Sequence, residues 1–113
     1  MQELKTSKLI IDKSKFYGHI YNVSNIEEIK EILNQQKKKY KKANHHCYAS
    51  ILDQEEIAKS YGEVGHPGKV ILQVLKNNNL TNHCIIISRV FGGIKLGPGG
   101  VARAFRECAN LLK

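Results

Sequence analysis

At 113 residues, 42% hydrophobic and 25% charged, the chain has the balance of a globular domain and length enough to bury a core without disulfides or a structural metal. General disorder is excluded by that balance. Eighteen Lys and Arg against ten Asp and Glu give a formal charge of +8, a surface suited to nucleic acid, ribosomes or acidic proteins that says nothing about fold.

Residues 8 to 23 hold two β-rich pieces, Lys8 to Ile11 and Lys15 to Val23, divided by the polar cluster Asp12-Lys13-Ser14, and predict a hairpin. In the second piece Phe16, Gly18 and Ile20 share one face, and Tyr17, His19 and Tyr21 the other. Ser24 followed by Glu27 is a capping-box pattern, and Ile26, Ile29, Ile32 and Leu33 then recur at helical spacing, predicting a helix over 25–38. The basic run Lys37-Lys38-Lys39-Tyr40-Lys41-Lys42 falls at its C-terminal end, where cations suit the helix dipole.

His45 to Leu52 reads as a strand. Strand alternation puts His45 and Cys47 on one side and His46 and Tyr48 on the other, so the His-His-Cys string does not chelate one metal, and no metal or cofactor is expected. Asp53 to Glu56 is a polar turn, after which Ile57 to Tyr61 pairs back as a short strand. A glycine cluster, Gly62 to Gly68, precedes an apolar helical stripe of Val70, Ile71, Val74 and Leu75, with Pro67 in the first turn. Cys84 to Ile87 is a continuous apolar run, the pattern of a strand buried on both faces.

Five of the nine glycines then fall within ten positions, Phe91-Gly92-Gly93-Ile94-Lys95-Leu96-Gly97-Pro98-Gly99-Gly100. Such a loop entering a helix start favours an anion, because free N–H groups and the helix dipole converge there. The candidate anion or nucleic-acid contacts are Arg89, Gly92, Gly93, Lys95, Gly97, Gly99, Gly100, Arg103 and Arg106, with His45, His46, Glu63 and His66 as further cleft residues. The last segment is an amphipathic helix with Val101, Ala102, Phe105, Cys108, Ala109 and Leu112 on one face.

The three cysteines, Cys47, Cys84 and Cys108, are scattered through apolar segments and read as buried thiols of a reducing compartment. No signal-peptide core or apolar run of membrane-spanning length is present, so the expectation is a cytoplasmic protein without membrane contact. The element order is strand, strand, helix, strand, strand, helix, strand, helix, which predicts one α+β domain over 1–113. Its expected form is a two-layer sandwich of a mixed sheet with helices on one face.

The segment Ile86 to Gly97 closely resembles the signature of the Impact/YigZ family, and the resemblance extends to Ser14-Lys15-Phe16, Ala43 to Ala49, and Gly62-Glu63 leading into Gly68. It departs from the family pattern at Val90, where an aromatic is usual, and in the short Gly62 to Gly68 segment. Lys113 falls where bacterial members are expected to continue into a ferredoxin-like second domain. The resemblance implies the family's N-terminal domain, a ribosomal protein S5 domain 2-like fold, and the translational regulation known for eukaryotic members. The function expected is therefore a translation-related regulatory or binding module, with RNA, the ribosome or a translation-related protein as partner. The alternatives are a protein-interaction module in stress signalling, or a small-molecule enzyme with a phosphate-binding Gly loop. The enzyme reading would draw on His45, His46, Glu63 and His66 for acid–base work and Cys47 as a nucleophile. No Ser-His-Asp order, Walker motif or metal-ligand pattern accompanies them, so no catalytic residue is assigned and a binding module is favoured.

Overall fold

The computed structural model describes residues 1–113. The eight elements follow the expected order: β1 (Gln2–Ile11), β2 (Ser14–Asn22), α1 (Ile26–Lys39), β3 (His45–Leu52), β4 (Glu55–Lys59), α2 (Pro67–Asn77), β5 (His83–Val90) and α3 (Gly97–Asn110). The β1–β2 turn is the two residues Asp12 and Lys13, at φ 47° and 67°. Positive φ at both central positions is what a type I′ hairpin requires, since its twist matches that of the flanking strands. β1 reaches back to Gln2, further than expected, because an edge strand keeps charged side chains that hide its alternation.

The five strands lie in the order β1-β2-β5-β3-β4, and every neighbouring pair is antiparallel. The sheet is thus antiparallel throughout, which corrects the mixed sheet expected from the alternation of strands and helices. The crossovers β2–α1–β3 and β4–α2–β5 each join strands running in the same direction, but each skips one position. β5 fills the first gap and β3 the second, and both run opposite to their neighbours.

β5 is central, and its apolar run divides between two cores. Ile85 and Ile87 join Phe16, Ile20, Cys47 and Ala49 against Ile71, Val74 and Leu75 of α2 and Val101, Phe105 and Cys108 of α3. Cys84 and Ile86 face the other way, with Tyr21, Val23 and Tyr48, against Ile29 and Ile32 of α1. Each fully buried isoleucine contributes about 1.5–3 kcal/mol relative to exposure, so the three-residue run Ile85 to Ile87, all at 0% exposure, anchors both faces.

The sheet with α2 and α3 makes up the two-layer body of the expected sandwich. The expectation that all helices share one face is corrected, because α1 lies on the opposite side. If both crossovers had the usual right-handed sense, α1 and α2 would share a face. Their separation makes one crossover left-handed, a rare connection in parallel βαβ units.

The start of α1 also differs in detail from the Ser24–Glu27 reading. Asn25 is the N-cap, accepting the Glu28 N–H at 2.9 Å, while Glu28 Oε1 accepts the Ser24 N–H at 2.6 Å. Two overlapping capping patterns compete here, and the frame one residue later places Ile29 and Ile32 on the sheet.

His19, only 2% exposed, is wedged under the end of α1. Its Nδ1–H donates to the Glu3 carboxylate, and its Nε2 accepts the Tyr40 hydroxyl at 2.7 Å. Burial holds this imidazole below its ordinary value of 6.5, assisted by the Lys39 charge and outweighing the upward pull of Glu3. His46 is lowered as well, by burial and by the Lys37 and His45 charges. Both groups therefore take up protons more readily in the unfolded chain. Stability should be complete above the ordinary imidazole value and fall as pH drops from there toward the folded values. Thermal midpoints measured from about pH 8 to about pH 5 should be level at first and then decline below about 6.5, and His19→Gln should shallow that decline.

Candidate functional site

Arg89 is the last inward-facing residue of β5, and register places it between Phe16 of β2 and His45 of β3. Parity puts its side chain on the α2 and α3 face, where the apolar core gives way to loops. There its Nη1 donates to both carboxylate oxygens of Glu63, at 3.0 and 3.1 Å, and its Nη2 donates to Ser14 Oγ at 3.4 Å. The guanidinium carbon lies 5.6 Å from the Phe16 ring centroid and 5.7 Å from that of Phe91. The Arg89 and Glu63 side chains are 7% and 3% exposed. Two charges withdrawn this far from water persist only because each satisfies the other. His45 Nε2 stands 3.8 Å from Glu63 Oε1 at the edge of the pair.

The glycine-rich loop packs around this pair. Gly92 presses on the backbone of Lys13 and Ser14 so closely that a Cβ would overlap it, and its N–H donates to Ser14 Oγ at 3.2 Å. The Phe91 N–H donates to Asn44 Oδ1 at 2.8 Å. From the other side Gly65, at φ 80°, meets the Pro98 carbonyl and Ala102, again with no room for a side chain. The loop is thereby clamped between the β1–β2 turn and the segment before α2.

α3 begins inside the loop, at Gly97 rather than after Gly100, and Leu96 at its N-cap supplies no side-chain acceptor. First-turn N–H groups have no partner within a helix, so those of Gly97 and Gly99 are left for solvent or a ligand. Gly97 opens on a cavity of about 420 Å³ whose lining also includes Asn44, His45, Arg89, Phe91 and Lys95. Lys95 and Phe91 are exposed at its rim. Arg89 Nε, beneath it, is buried with no hydrogen-bond partner, the one nitrogen of that guanidinium without one.

The sequence candidates separate into three places. His45, Arg89, Lys95 and Gly97 line this cavity and Glu63 joins them through Arg89, whereas Gly92, Gly93, Gly99 and Gly100 belong to the same loop without lining it. Gly93 and Gly97 take φ of 91° and 73°, and Arg103 lies back along the first turn of α3, about 3.5 Å from where a side chain on Gly99 would begin. His66 and Arg106 meet elsewhere, in a shallow cavity of about 280 Å³ between α2 and α3 with Lys69 and Gln73. His46 is on the opposite sheet face, its Nδ1 2.6 Å from Ser88 Oγ. The cleft candidates do not form one site.

Cys47, offered as a nucleophile, donates its thiol to the Ser60 carbonyl at 3.2 Å. Burial pushes that thiol far up, the Glu63 charge adds to the shift, and Arg89 only partly opposes it. It stays protonated, and the thiolate is the reactive form. Cys84 and Cys108 are pushed up to about 12 and about 11 by burial. No group of three or more His, Cys, Asp or Glu side chains converges to hold a metal ion, and no helix is long and apolar enough to cross a membrane.

Ser14 and Asn44 are site residues that chemical pattern alone did not single out. Both are loop-proximal hydrogen-bonding side chains at the end of a strand neighbouring β5, a position strand register would have flagged.

The Impact N-terminal domain family model matches residues 12–112. The IMPACT family member YvyE of Bacillus subtilis (strain 168) is 34% identical over 114 residues, covering 97% of this chain and 52% of that protein. Protein IMPACT homolog of Dictyostelium discoideum is 36% identical over 91 residues, 75% of this chain and 26% of its own length. A crystal structure of a hypothetical protein superposes with a TM-score of 0.90 at 26% identity, over 95% of this chain and 55% of that one. The two-domain translational regulator Yih1 shares the fold, with a TM-score of 0.53 at 21% identity over 97% of this chain and 46% of that one. The chain spans about half the length of the bacterial relatives it matches.

Glu63→Ala removes the only carboxylate facing Arg89 and should cost roughly 3–5 kcal/mol in urea unfolding. Replacing both partners, Glu63→Leu with Arg89→Met, should recover most of that loss, since no buried charge is then left alone.

Proposed function

The chain belongs to the Impact family through its N-terminal domain, and from that premise we propose that it is a translation-regulating binding module. Its cavity beside Arg89 takes an anionic group, a phosphate of RNA foremost, presented by the translation machinery. The observation that carries this reading is the uncapped start of α3, opening with Lys95 onto a cavity whose buried Arg89 keeps one nitrogen unpartnered. Free helix N–H groups attract an anion, and a cation at the rim adds to that attraction.

Phe91 and Val64 stand exposed at the same opening, giving a partner apolar surface beside the charge. A protein of the same fold is described as a two-domain translational regulator, and the sequence resemblance points the same way. Residues 1–113 are taken as one domain, a reading supported by two buried clusters sharing one sheet, and its S5 domain 2-like type rests on the sequence resemblance alone.

Of the groups the enzyme alternative would use, His45 alone stays at the cavity outside a close pair, and the others are engaged or elsewhere. Glu63 is held by Arg89, Cys47 is protonated, and His46 and His66 lie away from the cavity.

The test is co-sedimentation with ribosomes at low salt, with and without nuclease treatment. The wild-type chain should pellet with them, and Lys95→Glu combined with Arg103→Glu should reduce the bound fraction by roughly tenfold, an effect that fades as salt rises. Equal pelleting of the two proteins would remove the cavity from the proposed function.

A further inference from the structure

Strand parity sends Arg89 to one face of the sheet and Val90 to the other, and a second basic feature lies on the Val90 side. Where α1 ends, Lys38, Lys39, Lys41 and Lys42 meet Lys15 of β2 around a groove of about 430 Å³ that is also lined by Tyr17, Tyr40 and Val90. All five lysines are exposed. None of them is paired with a carboxylate: the ion pairs of the molecule involve Met1, His19, His45, Lys76 and Arg89 instead.

The helix dipole accounts for cations in the last turn of α1, and its reach ends within that turn. Lys41 and Lys42 follow the helix and Lys15 belongs to a strand, so the dipole does not explain why five cations gather here.

The floor of the groove is aromatic. Tyr17 and Tyr40 stack with ring centroids 4.5 Å apart and planes 17° from parallel. Tyr40 is fixed by its hydrogen bond to buried His19, and Lys8 and Lys39 hold their ammonium groups 5.6 and 5.7 Å from the Tyr17 and Tyr40 centroids. Flexible point charges without carboxylate partners, ranged beside a rigid aromatic pair, combine the two elements that bind a single strand. The cations follow the phosphates, and the ring faces over which the Lys8 and Lys39 ammonium groups lie receive bases when those flexible side chains swing aside. An acidic peptide would satisfy the charges but make no use of the rings.

We propose that this groove, formed by Lys15, Tyr17, Lys38, Lys39, Tyr40, Lys41 and Lys42, binds the sugar–phosphate backbone of single-stranded nucleic acid. It is separate from the cavity beside Arg89, on the other face of β5, and does not depend on that cavity binding anything.

The test is fluorescence anisotropy of the whole chain with labelled oligouridylate and oligothymidylate of about 12 nucleotides. Binding of either strand at about 50 mM salt is expected, weakening toward about 200 mM with a log–log slope of about −2 to −4, as release of counterions from three to five phosphates requires. Lys41→Glu with Lys42→Glu should weaken it roughly tenfold or more. The charge-matched Lys59→Glu with Lys113→Glu, both exposed and remote from the groove, should change it less than about threefold. Circular dichroism confirms that each variant is folded. Preference for one sugar identifies the natural strand and supports the proposal. It is overturned if neither strand binds at low salt, if the two double variants weaken binding equally, or if a polyglutamate of matched charge binds as tightly.

Discussion

The buried ion pair of Arg89 and Glu63 is the interaction on which the arrangement of this end of the molecule depends. Glu63 lies in the segment between β4 and α2, Ser14 opens β2, and Phe91 begins the glycine-rich loop, and all three meet one guanidinium. A charge so far from water is tolerated only when its partners are in place. Each of these segments is therefore held by the requirement to complete the others' hydrogen bonds. The guanidinium carbon lies 5.6 and 5.7 Å from the Phe16 and Phe91 ring centroids, and both carboxylate oxygens accept from its Nη1. That leaves Nε as the unmet donor. The glycines follow from the same constraint, because Gly92 and Gly65 let two backbones approach the clamp where any side chain would hold them away.

Arg89 occupies its position because of topology. β5 is the last strand in sequence and the central one in space, so its C-terminal end lies amid the ends of β2 and β3. Its alternate side chains extend both cores, and the final inward residue falls where α2 and α3 no longer cover the sheet. A cation there can be buried only by loops. The chain supplies three of them, and the cavity is the space left between those loops and the start of α3.

Much of this was legible in the residues. The run Cys84 to Ile87 announced a strand buried on both sides, the isoleucines of α1 declared its face, and Pro67 marked the first turn of α2. Other features were hidden for physical reasons. β1 carries charge because it is an edge, so residues 2 to 7 show no clean alternation. Sheet direction was obscured because both crossovers skip a position, and a skipped position leaves no local trace in the chain. The distribution of helices over two faces turns on one left-handed connection, which runs against the usual sense. In the site, Arg89, Lys95 and the glycines stood out by composition. The pairing of Arg89 with Glu63 spans 26 residues and arises only from tertiary contact. An arginine that looked available as an anion ligand is largely engaged by an internal carboxylate, and its contribution to the cavity is a fixed, charge-paired wall.

This engagement changes how the charge of +8 should be understood. Within the clamp Arg89 and Glu63 cancel, so the cavity draws its attraction for anions from the helix start and Lys95, short-range features that reward one well-placed group. The lysine groove has no internal carboxylate, and its five cations act together over a Debye length. The two faces of β5 thus present different electrostatics from adjacent residues. One side is neutralised, shaped and rimmed with Phe91 and Val64; the other has no ion pair in its lining, with only Lys39 near a carboxylate, that of Glu3. Attraction and selection can then be assigned to separate residues of a small domain.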